Sequence, residues 1–497
     1  MTGNLSIWLT PVWILAAGVT LGAVVLLVLY GILWLVSKPA AATTLRVVRE
    51  SVLQWISYVV LMYVAFFLIA LPLVWGVRIG ERNLPQLVVS SLARLPYVGP
   101  ESITIDVPAR TDDHEVSLSF RADELQQYTL RSEQDVIVNI EPGQAYSAPQ
   151  IIVEGGEPYV WAPGGKRQRI FEGTVERLYV TNQSDAPTKL TIELQSDIQL
   201  VEARHIPITA AAVVGVYLVY LLMQWLLPSI STIAVATSKE GVAQPLYLLM
   251  LLIAGFLLML YIVIPYNTFG EDVKMYKDSG MMTIMVLAIL VALWTSSVSV
   301  ADEIEGRTAL TLLSKPVSRR QFVLGKFFGI VWPNFLLFVV LGAWMLVWVS
   351  YKVVYDARET SNPEPSWQLC HKEMIGTIPG LVLSFMETVV LTAISVAIST
   401  RLSMIPNLVI VGSIYALGHL GPLIVQSSVG RNEFVAFFGQ LIALVLPVLD
   451  HFNIQAAVAG GKHVPADYLA WALLYCALYS TVAMLLALIL FEDRDLA

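Results

Sequence analysis

Apolar runs of bilayer length recur along the whole chain, and nothing constrains its fold more. They fall at 8–36, 52–77, 207–228, 245–265, 281–300, 322–350, 377–400, 406–427 and 468–491. Each exceeds the roughly 18 apolar residues needed to cross a bilayer as a helix. In hydrocarbon every backbone N–H and C=O must be paired within its own segment, so such runs become helices. The 497 residues are 56% hydrophobic and only 14% charged, with mean hydropathy +0.69. A soluble chain could not hide that much apolar surface. The expected fold is a polytopic α-helical membrane protein with about nine spans. A shorter run, 434–449, contains Pro447 and ends at Asp450-His451. It is expected to be a re-entrant or interfacial segment. The first run is too long for a signal-peptide core and has no basic residue before it, so it is expected to stay as a membrane helix.

Basic residues in short loops orient the bundle. Lys38, Arg46 and Arg49 lie between the first two runs, and Lys239 between the third and fourth. Arg307, Lys315, Arg319, Arg320 and Lys326 lie around the fifth and sixth, Arg401 between the seventh and eighth, and Arg494 after the last. All share one face if the N-terminus is outside and the C-terminus cytoplasmic. That parity places 80–206 outside and 301–321 in the cytoplasm of a bacterial-type inner (plasma) membrane.

The formal charge of −8 comes from one region. Residues 101–205 hold 18 acidic and 9 basic side chains, leaving the rest near +1. The acidity therefore implies no nucleic-acid partner. The same region reads as β-structure: Ser102–Val107, Glu115–Phe120, Val136–Ile140, Ile151–Val153, Leu178–Thr181 and Lys189–Leu194 alternate or are β-branched. Turn sequences separate them at 141–143, 162–165 and 184–187. An all-β sandwich-like domain, immunoglobulin-like or jelly-roll, is expected. The organisation is then two spans in 1–79, an extracytoplasmic β-rich domain in 80–206, a returning span in 207–228, and a transmembrane domain in 229–497. The loops at 351–376 and 428–467 are expected to be outer surface elements.

Few side chains suggest chemistry. Cys370 and Cys476 are too far apart in character for a disulfide, and two cysteines frame no metal. Met275, Met281, Met282 and Met285 cluster with soft thioethers suited to Cu(I), but no His or Cys joins them, so core packing is the better reading. Asp450, His451 and His463 match no zinc spacing, and Asp112–Glu115 reads as a solvated turn. No metal site and no catalytic residue is expected. Glu387 stands in the middle of an apolar run, where a carboxylate is costly enough to suggest a transport path or a proton site, and His419 is its nearest partner by depth.

The segment 302–326 interrupts two apolar runs with charge. Asp302, Glu303 and Glu305 meet the helix leaving the bilayer, and Gly306 lets the chain turn. Leu310 and Leu313 share a face of a short amphipathic helix, and Pro316 ends it. Ser318-Arg-Arg-Gln321 matches a capping box that starts the next helix. An ordinary interfacial loop anchored by Lys and Arg would look similar.

Glu303-Ile-Glu-Gly-Arg-Thr308 followed by Leu312-Leu-Ser-Lys-Pro-Val-Ser-Arg-Arg-Gln-Phe-Val-Leu-Gly-Lys326 resembles the signature of ABC type-2 transporter permeases. It is most like the branch of multi-copper-enzyme maturation permeases, as is Leu446-Pro-Val-Leu-Asp-His-Phe-Asn453. The resemblance extends loosely over 230–497. It implies that Glu303, Glu305, Arg307, Leu310, Leu313, Lys315, Pro316, Ser318, Arg319 and Arg320 couple to a cytoplasmic ABC ATPase, with 308–320 as the coupling helix. Residues 1–229 depart from the usual six-span plan.

A phosphate cradle needs Gly-x-x-x-x-Gly-Lys followed by Ser or Thr. Gly325-Lys326 is followed by Phe327, so the chain is not expected to be an enzyme or to bind a cofactor. ATP and Mg²⁺ would act through the partner ATPase. The expected assembly is a homo- or heterodimer of permease subunits in the lipid bilayer, with a further extracytoplasmic partner for the β-domain. The expected function is a permease subunit that couples a partner's ATP hydrolysis to export or to force transmission. The alternative is a membrane-anchored binding or scaffold protein acting through the β-domain.

Overall fold

The computed structural model describes the chain apart from Met1 and residues 80–81, 144–150, 164–169, 172, 265–270, 306–317, 362, 429–436, 438–445, 463 and 493–497. It divides into a helical unit, Met1–Leu73 with Ile206–Ala497, and a second unit, Val74–His205.

The helices are α1 (Thr2–Val36), α2 (Lys38–Arg49), α3 (Leu53–Trp75), α4 (Leu84–Arg94, in the second unit), α5 (His205–Leu226), α6 (Pro228–Ala243), α7 (Pro245–Val263), α8 (Asp272–Ser296), α9 (Arg319–Glu359), α10 (Trp367–Ser399), α11 (Met404–Ser428), α12 (Gln455–Ala459) and α13 (Ala466–Glu492). Eight helical stretches among the described residues are long and apolar enough to cross a membrane. They contain α1, α3, α5, α7, α8, α9, α10 and α13, and Met404–Leu420 of α11 is a shorter apolar helix. The chain is a multi-pass α-helical membrane protein.

Several expectations shift. The helices α9 and α10 run to Glu359 and from Trp367, so most of 351–376 is helix rather than surface loop. Likewise α8 starts at Asp272, nine residues before the apolar run at 281. These extensions carry charged residues that pair with one another, which apolarity alone does not reveal. Four helices went unread: amphipathic α2, and α4, α6 and α12. Ser37 caps α2, its Oγ accepting from Ala40 N at 3.4 Å. Gly325 and Gly329 of α9, one turn apart, let α6 approach closely: a Cβ at either would collide with Ile233 or Thr237. Of the segment 434–449, only residues 437 and 446–449 are among the described residues.

α9 contains Pro333, which cannot donate a helix hydrogen bond. Side chains bond carbonyls beside it: the Tyr247 hydroxyl of α7 donates to Pro333 O at 3.0 Å, and Asn334 Nδ2 of α9 itself donates to Ile330 O at 3.2 Å. At 41 residues α9 is about 60 Å long, roughly twice the hydrocarbon thickness.

The second unit begins with a short ribbon of β1 (Arg78–Ile79) and β2 (Arg82–Asn83). Eight strands follow: β3 (Pro100–Val107), β4 (Thr111–Arg121), β5 (Leu125–Ser132), β6 (Val136–Asn139), β7 (Ile151–Val153), β8 (Tyr159–Trp161), β9 (Thr174–Asn182) and β10 (Thr188–Ser196). They form two antiparallel sheets, ordered β3-β10-β5-β8 and β4-β9-β6-β7. Alternation sends Leu190, Ile192 and Leu194 of β10 inward, where residues from both sheets share one hydrophobic core. Tyr128 stacks on Trp161 with centroids 5.2 Å apart inside it. The strands β5 and β8 were not expected. Asp112–Glu115 is part of β4 rather than a free turn: a register shift there puts Asp113 at φ +50°, and its carboxylate accepts from Gly143 N at 2.7 Å. Arg94 at the end of α4 grips buried Glu124 with two hydrogen bonds, 2.9 and 2.8 Å, which raises the guanidinium pKa above its ordinary value.

Candidate functional site

At one end of the helical unit four helix termini converge. α8 passes into a π-helical turn, Ser297–Asp302, and then a short helical piece, Glu303–Glu305. Such turns are rare and recur at functional positions. Buried Lys326 of α9 donates to Glu303 Oε1 at 2.6 Å and lies over the Phe322 ring at 5.6 Å, so the end of α8 is bonded to the start of α9. The capping box is formed: Ser318 Oγ accepts from Gln321 N at 3.3 Å, and Ser318 N donates to Gln321 Oε1 at 3.0 Å.

Arg319 Nη1 donates to the carbonyls of Phe491 and Glu492 at 3.1 and 2.7 Å, and Arg401 Nε donates to Leu490 O at 2.6 Å. Two guanidinium groups thus satisfy the last carbonyls of α13 and complement its dipole. Arg320 is exposed. Arg307, Leu310, Leu313, Lys315 and Pro316 lie outside the described residues, as does the side chain of Glu305.

One step inward is a neutral polar knot that sequence reasoning missed. Asn407 of α11 is fully buried, and its Nδ2 lies 3.4, 3.0, 2.9 and 3.1 Å from the hydroxyls of Ser296, Ser297, Ser395 and Ser399. An amide NH₂ has two hydrogens, so these four acceptors share them. Ser296 also bonds Ser395 directly. The knot ties α8, at its π-turn, to α10 and α11 through hydrogen bonds in an apolar interior. A single Asn among scattered serines at 295–299 and 395–399 gave no periodic signal.

Midway along α10, Glu387 is buried and its Oε1 lies 2.8 Å from His419 Nε2 on α11. The Tyr415 ring meets His419 edge-on at 4.8 Å. His419 Nδ1 is buried without a hydrogen-bond partner among the described residues. A carboxyl and an imidazole at this distance can share one proton or hold a charge pair.

At the opposite end of α8, α9 and α10 lie two further buried lysines. Lys277 bonds Glu373, and Lys352 donates to Ile262 O at 3.1 Å and to Asp272 Oδ2 at 3.4 Å. Neither lysine was singled out in the sequence, because each partner lies at least 80 residues away. The methionines divide: Met281 and Met285 are buried in the core, where Gln455 Nε2 approaches Met285 Sδ at 3.7 Å, whereas Met275 and Met282 are exposed. His451 gives its carbonyl to the Tyr468 hydroxyl at 2.6 Å, and His463 lies outside the described residues. No group of three His, Cys, Asp or Glu side chains placed to hold a metal occurs among the described residues.

Buried polar contacts thus tie the helices together, and charged residues gather at their termini at one end. Residues 266–496, just under half of the chain, match the family of ABC-2 family transporter proteins. No curated protein matches the chain.

Proposed function

We propose that the chain is the membrane-spanning permease subunit of an ABC transporter, driven by a separate cytoplasmic ATPase and assembled as a dimer of permease subunits in the plasma membrane. The family match over 266–496 supports this. The observation that carries it is the junction of Glu303, Lys326, Arg319 and the end of α13, which bonds the start of α9 to the ends of α8 and α13. A push delivered at 302–326 is handed at once to three spans. The Asn407 knot passes the same motion to α10 and α11 at the π-turn. In this reading Glu387 and His419 line the transport path, export is the direction, and the sandwich-like β-domain receives or hands over cargo outside. In this reading the signature residues, which resemble those of multi-copper-enzyme maturation permeases, favour that branch.

The separately packed β unit favours a second reading, a membrane-anchored binding protein that needs no ATPase. Affinity purification of the solubilised chain from its own membrane separates the two. An ABC ATPase should co-purify with it. Arg307→Glu and Arg320→Glu together should reduce that recovery at least about tenfold, on the order of 1.4 kcal/mol, with unchanged elution of the chain itself. Retention of the ATPase by the double variant removes the docking role from this segment. Absence of any ATPase favours the anchored binding protein.

A further inference from the structure

The short helix α2 lies outside the family match, and its surface is divided in two. α1 ends at Val36 and α2 begins at Lys38, with Ser37 alone between them. Three residues then separate α2 from α3, whose 23 residues span about 35 Å, little more than the hydrocarbon thickness. These connections leave no slack, so α2 lies along the membrane surface at headgroup level. One side of it is packed: Ala41 is buried, and Val47 and Val48 pack on the core of the helical unit. The other side carries Lys38, Arg46 and Arg49, all exposed. At 3.6 residues per turn the three fall within an arc of about 80°. Among the described residues none of them forms an ion pair. Glu50 is the one acidic residue in 1–79. The helix dipole accounts for Arg46 and Arg49 in the last turn. It does not account for Lys38, which stands at the positive end, where a cation is unfavourable. Lys38 Nζ lies over the ring of Trp34, exposed in the last turn of α1, at 5.1 Å. The ammonium is thus turned back along the flank of the span. Trp55 and Tyr58, exposed at the start of α3 with rings 5.8 Å apart, extend an aromatic belt at the same level.

We propose that the exposed side of α2 binds the headgroups of anionic phospholipids. Charge and depth together select this occupant. Three cations gathered on one side of a surface helix attract an anionic leaflet, and the attraction falls off within a Debye length. An acidic protein surface would match the charge alone. Beside the cations, however, Leu35 and Val36 are exposed at the end of α1, and Leu45 is exposed among the cations themselves. Apolar side chains next to basic ones suit the boundary between headgroup and acyl chain, where an amphipathic helix rests. A phospholipid meets both demands, its phosphate against the cations and its upper acyl carbons against Leu35, Val36 and Leu45. The bound lipids would hold the N-terminal spans at a fixed depth. The inference does not depend on a partner ATPase.

The test uses the full chain in phosphatidylcholine vesicles doped with a trace of either phosphatidylglycerol or phosphatidylcholine. Both probes carry a diazirine on the acyl carbons nearest the headgroup, so they differ only in headgroup charge. After illumination, adducts are mapped by mass spectrometry. The ratio of phosphatidylglycerol to phosphatidylcholine adducts over residues 34–58 should exceed the ratio around Trp471, an exposed aromatic near the start of α13, at least about fivefold. Lys38→Gln, Arg46→Gln and Arg49→Gln together leave the packed side of α2 intact and should bring the two ratios level. Raising salt from about 0.05 M to about 1 M should at least halve the excess in the unaltered chain, a reading that stands even if the triple variant does not fold. Equal ratios in the unaltered chain overturn the proposal, as does an excess that neither the triple variant nor salt reduces. Equal ratios together with loss of a co-purifying ATPase from the triple variant would assign the face to a protein partner instead.

Discussion

Among the described residues three lysines sit inside the helical unit, each against a carboxylate: Lys326 with Glu303, Lys277 with Glu373, Lys352 with Asp272. Stripping water from an ammonium costs several kcal/mol, so each lysine is tolerated only while its partner stays. Glu303→Ala should therefore destabilise the solubilised protein by about 2 kcal/mol, below the fully buried range because Glu303 itself is partly exposed. Glu303→Leu with Lys326→Met should recover most of that loss. Thermal unfolding in detergent checks both. A double variant no more stable than Glu303→Ala would mean that the pair is not what holds the helices there. At this scale the sequence was partly legible. Glu387 stood out because a carboxylate mid-span is anomalous in isolation, and His419 shared its depth. Asn407 did not stand out, because an amide near a span end is ordinary until four serine hydroxyls are seen around it.

Elements followed apolarity where apolarity decided them. The spans were legible because hydrocarbon leaves the backbone no alternative to a helix. Their ends were legible only where local chemistry marks them, as at Ser318. Ser318→Ala removes the bond that its Oγ accepts from Gln321 N, keeps the backbone bond from residue 318 to Gln321 Oε1, and should cost about 1 kcal/mol at the start of α9. Hydrogen exchange should show faster exchange at residues 319–321 with α9 unchanged beyond its first turns. Unaltered protection there would mean that Lys326 and Arg319 alone hold that end. The extended ends of α8, α9 and α10 were hidden because charged residues read as loop when their partners are unknown. Gly325 was read only within a failed phosphate motif, whereas Gly325 and Gly329 together let α6 lie close.

The whole molecule is two units with separate cores. The second owns its hydrophobic cluster, its strand order and the Arg94–Glu124 bond, so nothing in its core depends on the spans. A fragment of residues 84–200, produced without the spans, should give a β-type circular dichroism spectrum and one cooperative melting transition. A featureless spectrum would tie its folding to the membrane unit. The two native cysteines are buried, which makes orientation testable with a single added thiol. Glu157→Cys, on an exposed turn, should react with an impermeant maleimide in intact cells. Reaction only after lysis would reverse the orientation drawn from the basic loops.

By itself the sequence determined the solvent, the spans and the β character of the insertion. These follow from composition and from periodicities of one residue against its near neighbours, which are local quantities. Tertiary structure decided everything that needs two distant residues to meet. It alone paired Lys326 with Glu303 and Lys352 with Asp272, and gathered the serines around Asn407. A buried charge or a void has no signature along the chain, because its energy depends on which atoms surround it and not on its place in the order of residues.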